Sequence, residues 1–247
     1  TRSCDAAVQL PNLSITDNCT DVYNIFVNAR LNGQAVGYIS GNGGLMTLAV
    51  GVNEITYTAI DECGNTTKMS YSITVKDDTD PVAICDQHTT VSIKDNGYTE
   101  VTASAVDDGS FDECGAVTLK LQRMEDPCNF GQDTLWHDKV GFCCADANTT
   151  RMVQLLVTDA GGNTNVCMVS VQVQDKVIPT IECPANLTIE DCLFTFDPSP
   201  AGADAAFGAA IITDNCPANN TISQTIIDNR NDCGIGPVNR TFTVINN

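Results

Sequence analysis

Two stretches of the chain repeat one order of residues at a fixed interval. Asp61-Glu62-Cys63-Gly64-Asn65 is followed by an alternating segment, an acidic joint and Pro81-Val82-Ala83-Ile84-Cys85. Asp159-Ala160-Gly161-Gly162-Asn163 leads in the same way to Pro179-Thr180-Ile181-Glu182-Cys183. Asp61 and Asp159, Asn65 and Asn163, Pro81 and Pro179, and Cys85 and Cys183 are each 98 residues apart. Four landmarks on one offset mark a tandem repeat, and a repeat constrains the fold strongly, because each copy has to be one supersecondary unit. The 247 residues then read as a partial repeat over 1–77, a complete one over 78–176 and a second partial one over 177–247. The first lacks its opening strand. The third lacks its last, since Thr241-Phe242-Thr243-Val244-Ile245-Asn246 aligns with Thr56-Tyr57-Thr58-Ala59-Ile60-Asp61. The expectation is a window on a longer array.

Inside each repeat the apolar period is two. Met69, Tyr71, Ile73 and Val75 alternate with Lys68, Ser70, Ser72 and Thr74. One offset later Cys167, Val169, Val171 and Val173 alternate with Met168, Ser170, Gln172 and Gln174. Such alternation belongs to antiparallel sheets with one wet face. The complete repeat predicts strands over 82–85, 89–93, 98–106, 117–124, 135–140, 151–158 and 165–174, parted by loops of Gly, Asp and Asn. About seven short strands per hundred residues without helical periodicity predict an immunoglobulin-like β-sandwich. Residues 201–210 are alanine-rich but carry Gly202 and Gly208, so a loop or single turn is expected there. The fold class is all-β: tandem immunoglobulin-like sandwiches stapled by disulfides.

Thirteen cysteines set the compartment. Such a count predicts disulfides and an oxidising, secreted, cell-surface setting. Zinc is the rival, but no Cys-x-x-Cys pair occurs and the only histidines are His88 and His137. No apolar run is long enough to cross a bilayer. A formal net charge of −19 excludes nucleic acid and insertion at anionic membranes as natural partners, since both call for Lys and Arg.

Three local patterns carry a family resemblance. Asp-x-x-x-Pro-x-Ile-x-Cys-Pro opens a unit, Thr-Asp-Asn-Cys stands in its middle, and Asp-x-x-Gly-Asn precedes its last strand. Together they resemble the hyalin repeat, an immunoglobulin-like extracellular adhesion module. The wording Ile181-Glu182-Cys183-Pro184-Ala185-Asn186-Leu187-Thr188-Ile189 and Ile212-Thr213-Asp214-Asn215-Cys216 is similar to repeats of long surface proteins of gliding bacteria, including filamentous motility adhesins. The middle repeat departs from the pattern. Glu113 replaces Asn, Gly161 stands where a cysteine is common, and Cys128, Cys143 and Cys144 are extra.

In a sandwich of this kind the loop before the third strand and the loop before the last lie at one end, which predicts Cys19–Cys63. The middle repeat has Cys114 in the first of these loops and none in the second, so the partner moves to Cys144; Cys233 stands likewise before the final strand, predicting Cys114–Cys144 and Cys216–Cys233. Cys128–Cys143 follows by elimination. The opening cysteine reaches the last strand in Cys85–Cys167 and a near neighbour in Cys183–Cys192, leaving Cys4 for a partner upstream of Thr1. Sequence alone does not fix such connectivity.

Calcium is the one cofactor the residues suggest. The joint entering the middle repeat supplies Asp77, Asp78 and Asp80; flanking loops supply Asp107, Asp108, Asp112, Glu113, Asp159 and Asn163. Calcium takes six to eight oxygens of this kind, although Asp and Asn fill ordinary turns as well. Catalysis has no support: no nucleophile elbow is present, and neither histidine stands beside a nucleophile. Phe130, Trp136 and Phe142, in a cysteine-bearing insertion, are candidates to touch a sugar. The reading is a structural or adhesive stalk of a secreted filament, partnered by neighbouring repeats, filament subunits, surface polysaccharide or other cells. Its rivals are a carbohydrate-binding accessory module of a secreted hydrolase and a calcium-dependent cell–cell adhesion ectodomain.

Overall fold

The computed structural model describes residues 4–38, 44–190 and 194–246. The chain divides into two compact units. One holds residues 1–83, 110–118 and 157–165; the other holds 84–109, 119–156 and 166–247.

The first repeat contributes β1 (Asp5–Gln9), β2 (Phe26–Leu31), β3 (Gln34–Tyr38), β4 (Leu45–Ala49), β5 (Gly51–Ile60) and β6 (Thr66–Val75). β1 pairs with β4, and the other four form a sheet in the order β3-β2-β5-β6, every pair antiparallel. Alternation becomes burial: Ile55 and Tyr57 of β5 close on Leu10, Val27, Ala29 and Leu48. Asn53 is buried between them on the same face, with its amide donating to the Ala49 and Gly51 carbonyls. Tyr71, Ile73 and Val75 pack against that core, whereas Met69, expected to face inward with them, is exposed.

The middle repeat contributes β7 (His88–Ile93), β8 (Tyr98–Thr102), β9 (Thr118–Arg123), β10 (Lys139–Cys143), β11 (Thr149–Thr158) and β12 (Thr164–Asp175). β8 pairs with β10, and the larger sheet runs β7-β12-β11-β9, with β7 parallel to β12. Val153 and Leu155 of β11 and Val169, Val171 and Val173 of β12 are wholly buried, the inward half of each alternation. The strand expected over 82–85 is reduced to two isolated bridges, Val82 with Phe111 and Cys85 with Asp107. The ribbon expected over 135–140 starts late, at Lys139, after a single bridge from His137 to Leu121.

The third repeat contributes β13 (Thr180–Glu182), α1 (Pro200–Phe207), β14 (Ile211–Thr213), β15 (Asn220–Asp228) and β16 (Val238–Asn246). β13 pairs with β14, and β15 with β16. The helix corrects the loop expected there. Ser199 caps it, accepting the Gly202 N–H at 3.1 Å, Pro200 starts it, and Gly208 at φ 83° ends it. Gly202 is tolerated because a side chain would strike Asp197, whose Cβ would lie 2.3 Å from an added Cβ. Phe207 then packs on Phe196, ring centroids 4.9 Å apart. The architecture is all-β: tandem immunoglobulin-like sandwiches stapled by disulfides.

Candidate functional site

The repeated loop Asp-x-x-x-Asn is a self-closing turn. In the first repeat Asp61 accepts the backbone N–H and the side-chain amide of Asn65, both at 2.7 Å. In the middle repeat Asp159 does the same with Asn163, both at 2.8 Å. Burial pushes the Asp159 carboxyl up, but hydrogen bonds from Asn163 and from the Gly162 and Gly161 N–H groups outweigh it and hold the carboxyl below its ordinary value. The Asn163 amide also donates to the Asp77 carbonyl at 3.1 Å, and the Asn165 amide to the Pro81 carbonyl at 2.9 Å. The turn is thereby stitched to the first joint.

Nine residues were expected around a cation at this joint, and the structure gathers two of their carboxylates. Asp77 and Asp112 offer oxygens that lie, with the Cys114 sulfur, within 4.8 Å of one another. Cys114 is half of a disulfide, so it brings no thiolate. The Asp159 carboxylate takes the Asn163 amide, which also bonds the joint backbone. Asp107 and Asp108 fall in the other unit, where Asp107 accepts the Gly109 N–H and Asp108 donates its N–H to Ile84. Asp78, Asp80 and Glu113 enter no group of three metal-ligating side chains among the described residues. Two carboxylates supply about four of the six to eight oxygens that calcium takes.

The disulfides are wired differently from a repeat that closes on itself. Cys85–Cys167 and Cys128–Cys143 are bonded, with Cα atoms 6.2 and 6.0 Å apart. Cys114 pairs with Cys4, not Cys144, and Cys216 pairs with Cys144, not Cys233; the Cα separations are 5.1 and 5.3 Å. Cys4 thus finds its partner within the chain. Cys143 lies opposite Tyr98, so Cys144 follows at that end of β8, and Cys114 falls in the other compact unit. Cys233 lies in the hairpin loop joining β15 to β16, and Cys216 precedes the far end of β15, about 30 Å away along nine residues. Cys19 and Cys63 are exposed free thiols, not the expected bridge, although Phe26 opposite Ile60 and Ile60 opposite Thr66 put their loops at one end of the sheet. Cys183–Cys192 involves Cys192, outside the described residues. In both re-routed bridges the Asp-x-Cys loop reaches back to a cysteine of the preceding repeat.

The second joint holds a constellation the sequence reading passed over. Asp175 stands one repeat after Asp77, and Asp214-Asn215-Cys216 answers to Asp112-Glu113-Cys114. Asp175 accepts the Asn215 amide and the Val177 N–H, each at 3.1 Å. Asp214 accepts the Asn220 amide at 3.0 Å, and the Asn246 amide donates to the Val177 carbonyl at 2.8 Å. Asn220 and Asn246 are cross-strand partners. The repeat offset of 98 points to Asp175, and the shared Asp-x-Cys spacing points to Asp214.

The insertion between β9 and β10 is flanked by a buried polar core. Phe142, expected to protrude, is completely buried, with the Arg123 guanidinium 4.7 Å from its ring centroid. Arg123 is buried too and pairs with buried Asp146 at 2.7 Å, which also takes Arg151 at 2.9 Å. Phe130 is exposed but stands edge-on to Tyr98, and Trp136 is half-buried. Cys128, Cys143 and Asp146 cluster closely, but both sulfurs are in one disulfide.

No family model and no curated protein matches the chain. Among solved structures it is similar to human CDH23 EC21-23 (TM-score 0.35, 12% identity, covering 83% of this chain and 73% of that one). It is similar also to human mucin-like protocadherin EC1-2 (TM-score 0.32, 13% identity, covering 67% and 93%). The third is the fibronectin(III)-like modules of Clostridium thermocellum CbhA (TM-score 0.29, 12% identity, covering 65% and 83%).

Proposed function

We propose that the chain is a load-bearing stalk segment of a secreted, adhesive surface filament and carries no catalytic role. The observation that supports this is the overlap of the disulfide loops. Cys4–Cys114, Cys85–Cys167 and Cys144–Cys216 span 110, 82 and 72 residues, and each loop begins before the previous one ends. A pull on the two ends therefore passes through sulfur. It enters at Cys4, crosses to Cys114, follows the backbone to Cys128, crosses to Cys143 and Cys144, and leaves by Cys216. Most of the polypeptide is off that path, so unfolding a sandwich lengthens the stalk little. A module built only to bind has no need of such wiring.

Extracellular placement follows from the disulfides, and a filament of neighbouring repeats from the covalent joints. The gliding-motility filament is the finer form of this reading, with surface polysaccharide or other cells as the contacts at its far end; calcium enters as a stiffener of joints. The accessory sugar-binding alternative would need an aromatic platform, and the burial of Phe142 weighs against it. Single-molecule pulling of the whole oxidised chain tests the proposal. Reduced, the 247 residues extend to about 860 Å at about 3.5 Å each. Oxidised, roughly a fifth of that is expected. Equal lengths in the two states would end the load-path reading.

A further inference from the structure

The second joint is a hydrogen-bonded ring of side chains that leaves acceptor oxygens without donors. Starting at Asp175, it passes through the Asn215 amide to its neighbour Asp214, then through the Asn220 amide and the cross-strand partner Asn246 to Val177 and back to Asp175. Every amide hydrogen named in that circuit is already given to a ring member. Five oxygens remain: Asp175 Oδ2, Asp214 Oδ1, Asn215 Oδ1, Asn220 Oδ1 and Asn246 Oδ1. Each is fully buried and has no hydrogen-bond partner. Among the described residues ten buried side-chain atoms are in that condition, and half of them sit on this one ring.

Buried acceptors without donors are costly, and native proteins satisfy them with a partner, a water or an ion. A water brings only two protons, too few for five oxygens. The ring carries two carboxylates, and no Lys, Arg or His makes an ion pair with Asp175 or Asp214 among the described residues. Positive charge is what the site lacks. We propose that the second joint binds one calcium ion, held by carboxylate oxygens of Asp175 and Asp214 and amide oxygens of Asn215, Asn220 and Asn246. Hard oxygen donors in a flexible set suit calcium; magnesium keeps its waters in a stricter octahedron, and zinc prefers nitrogen and sulfur. Cys216, beside the ring, is bonded to Cys144, so neither sulfur is a thiolate. That bridge fixes the loop carrying Asp214 and Asn215, so it also preorganises the site.

The site stands apart from the stalk reading, because a joint can bind an ion whether or not it bears load. Calorimetric titration of the whole oxidised chain, stripped with EDTA, with calcium chloride tests it. One ion per chain is expected, with a dissociation constant of about 10⁻⁴–10⁻³ M, the range of extracellular modules. Asp175→Asn and Asp214→Asn each weaken binding at least about tenfold, one charge removed per variant. Asn246→Ala, which deletes one oxygen without touching a charge, weakens it less, and Asp77→Asn with Asp112→Asn leaves it unchanged. Circular dichroism confirms that each variant keeps its strands, and the Asn246 variant serves if a carboxylate variant does not fold. No heat up to several millimolar calcium overturns the proposal. So does binding that survives the Asp175/Asp214 double change, or binding lost with Asp77 and Asp112.

Discussion

The two joints start from the same residues and finish in opposite electrostatic states. At the first, the turn residue Asn163 reaches over and gives its amide to the Asp77 carbonyl, while the Asp112 carboxylate takes the Cys114 N–H at 2.7 Å. Donors and acceptors there are matched within the protein. At the second, Asn246 takes the place of Asp159, Asn215 that of Glu113, and five buried oxygens are left over. Both joints are locked by a disulfide from the Asp-x-Cys loop to the repeat before it. One covalent plan therefore carries two polar solutions: one satisfied by an asparagine turn, the other asking for a cation. Substitutions that act on one joint alone will show whether the two are separable.

The largest difference is expected from Asp146→Ala. Asp146 is buried under Arg123 and Arg151 and ends the turn that begins with Cys144, the sulfur of the second joint. Removing it takes away the carboxylate the two guanidinium groups share, leaving Arg123 only Asp126 at 3.8 Å and Arg151 only the exposed Glu125 as ion-pair partners among the described residues. Breaking a buried pair from one side costs about 3–5 kcal/mol. Urea unfolding should show that loss in the second unit, with hydrogen exchange over β10 and β11 accelerated and exchange over β5 and β6 unchanged. Equal acceleration in both would mean the joints are not independent.

Next come the bridges themselves. Paired replacement of Cys4 and Cys114 by Ser, or of Cys144 and Cys216, should each cost about 2–4 kcal/mol, since both close long loops of the unfolded chain. The first pair should leave calcium titration unaffected. The second should weaken it, because it frees the loop that carries Asp214 and Asn215. If both pairs weaken calcium binding alike, the division of labour between the joints fails.

The sandwich was legible because a two-residue period and its turns are local: Val169, Val171 and Val173 had to share a face. Cys85–Cys167 and, by elimination, Cys128–Cys143 could be proposed because both partners lie within one repeat. The re-routed bridges were not legible, since they depend on which end of a strand a loop occupies and on what the preceding repeat places there. Cys144 looked close to Cys114 in sequence, yet the two bond to Cys216 and to Cys4. The helix over 200–207 was hidden by Gly202, which reads as a breaker until Asp197 is seen filling its side-chain space. Phe142 was misplaced because nothing in sequence says that Arg123 folds over it.

Acid should separate the joints more gently. The Asp159 carboxyl titrates below its ordinary value of 3.8, so its contribution is fully present above that value and is lost as pH falls through the lower folded value. Below pH 4 the Asn163 turn should therefore loosen in the first unit. Asn163→Ala removes the side-chain amide's bonds to Asp159 and to the Asp77 carbonyl at neutral pH, at about 2 kcal/mol, and should shrink the acid step seen by exchange around the turn, the backbone N–H bonds to Asp159 being retained. An acid step of undiminished size in this variant would assign it to another carboxylate.

The smallest effect compares Gly161 with Cys63, which occupy the same place in successive repeats. An added Cβ on Gly161 would sit 3.3 Å from the Asp77 carbonyl oxygen and 3.2 Å from Asn163 Nδ2, so the first joint already fills the room a side chain would need. Cys63 is exposed and bonded to nothing. Gly161→Ala should cost about 1 kcal/mol through crowding, whereas Cys63→Ala should be neutral within about 0.5 kcal/mol. Urea midpoints of the two variants decide it. If they match, crowding by the joint is not why the middle repeat has glycine at this position.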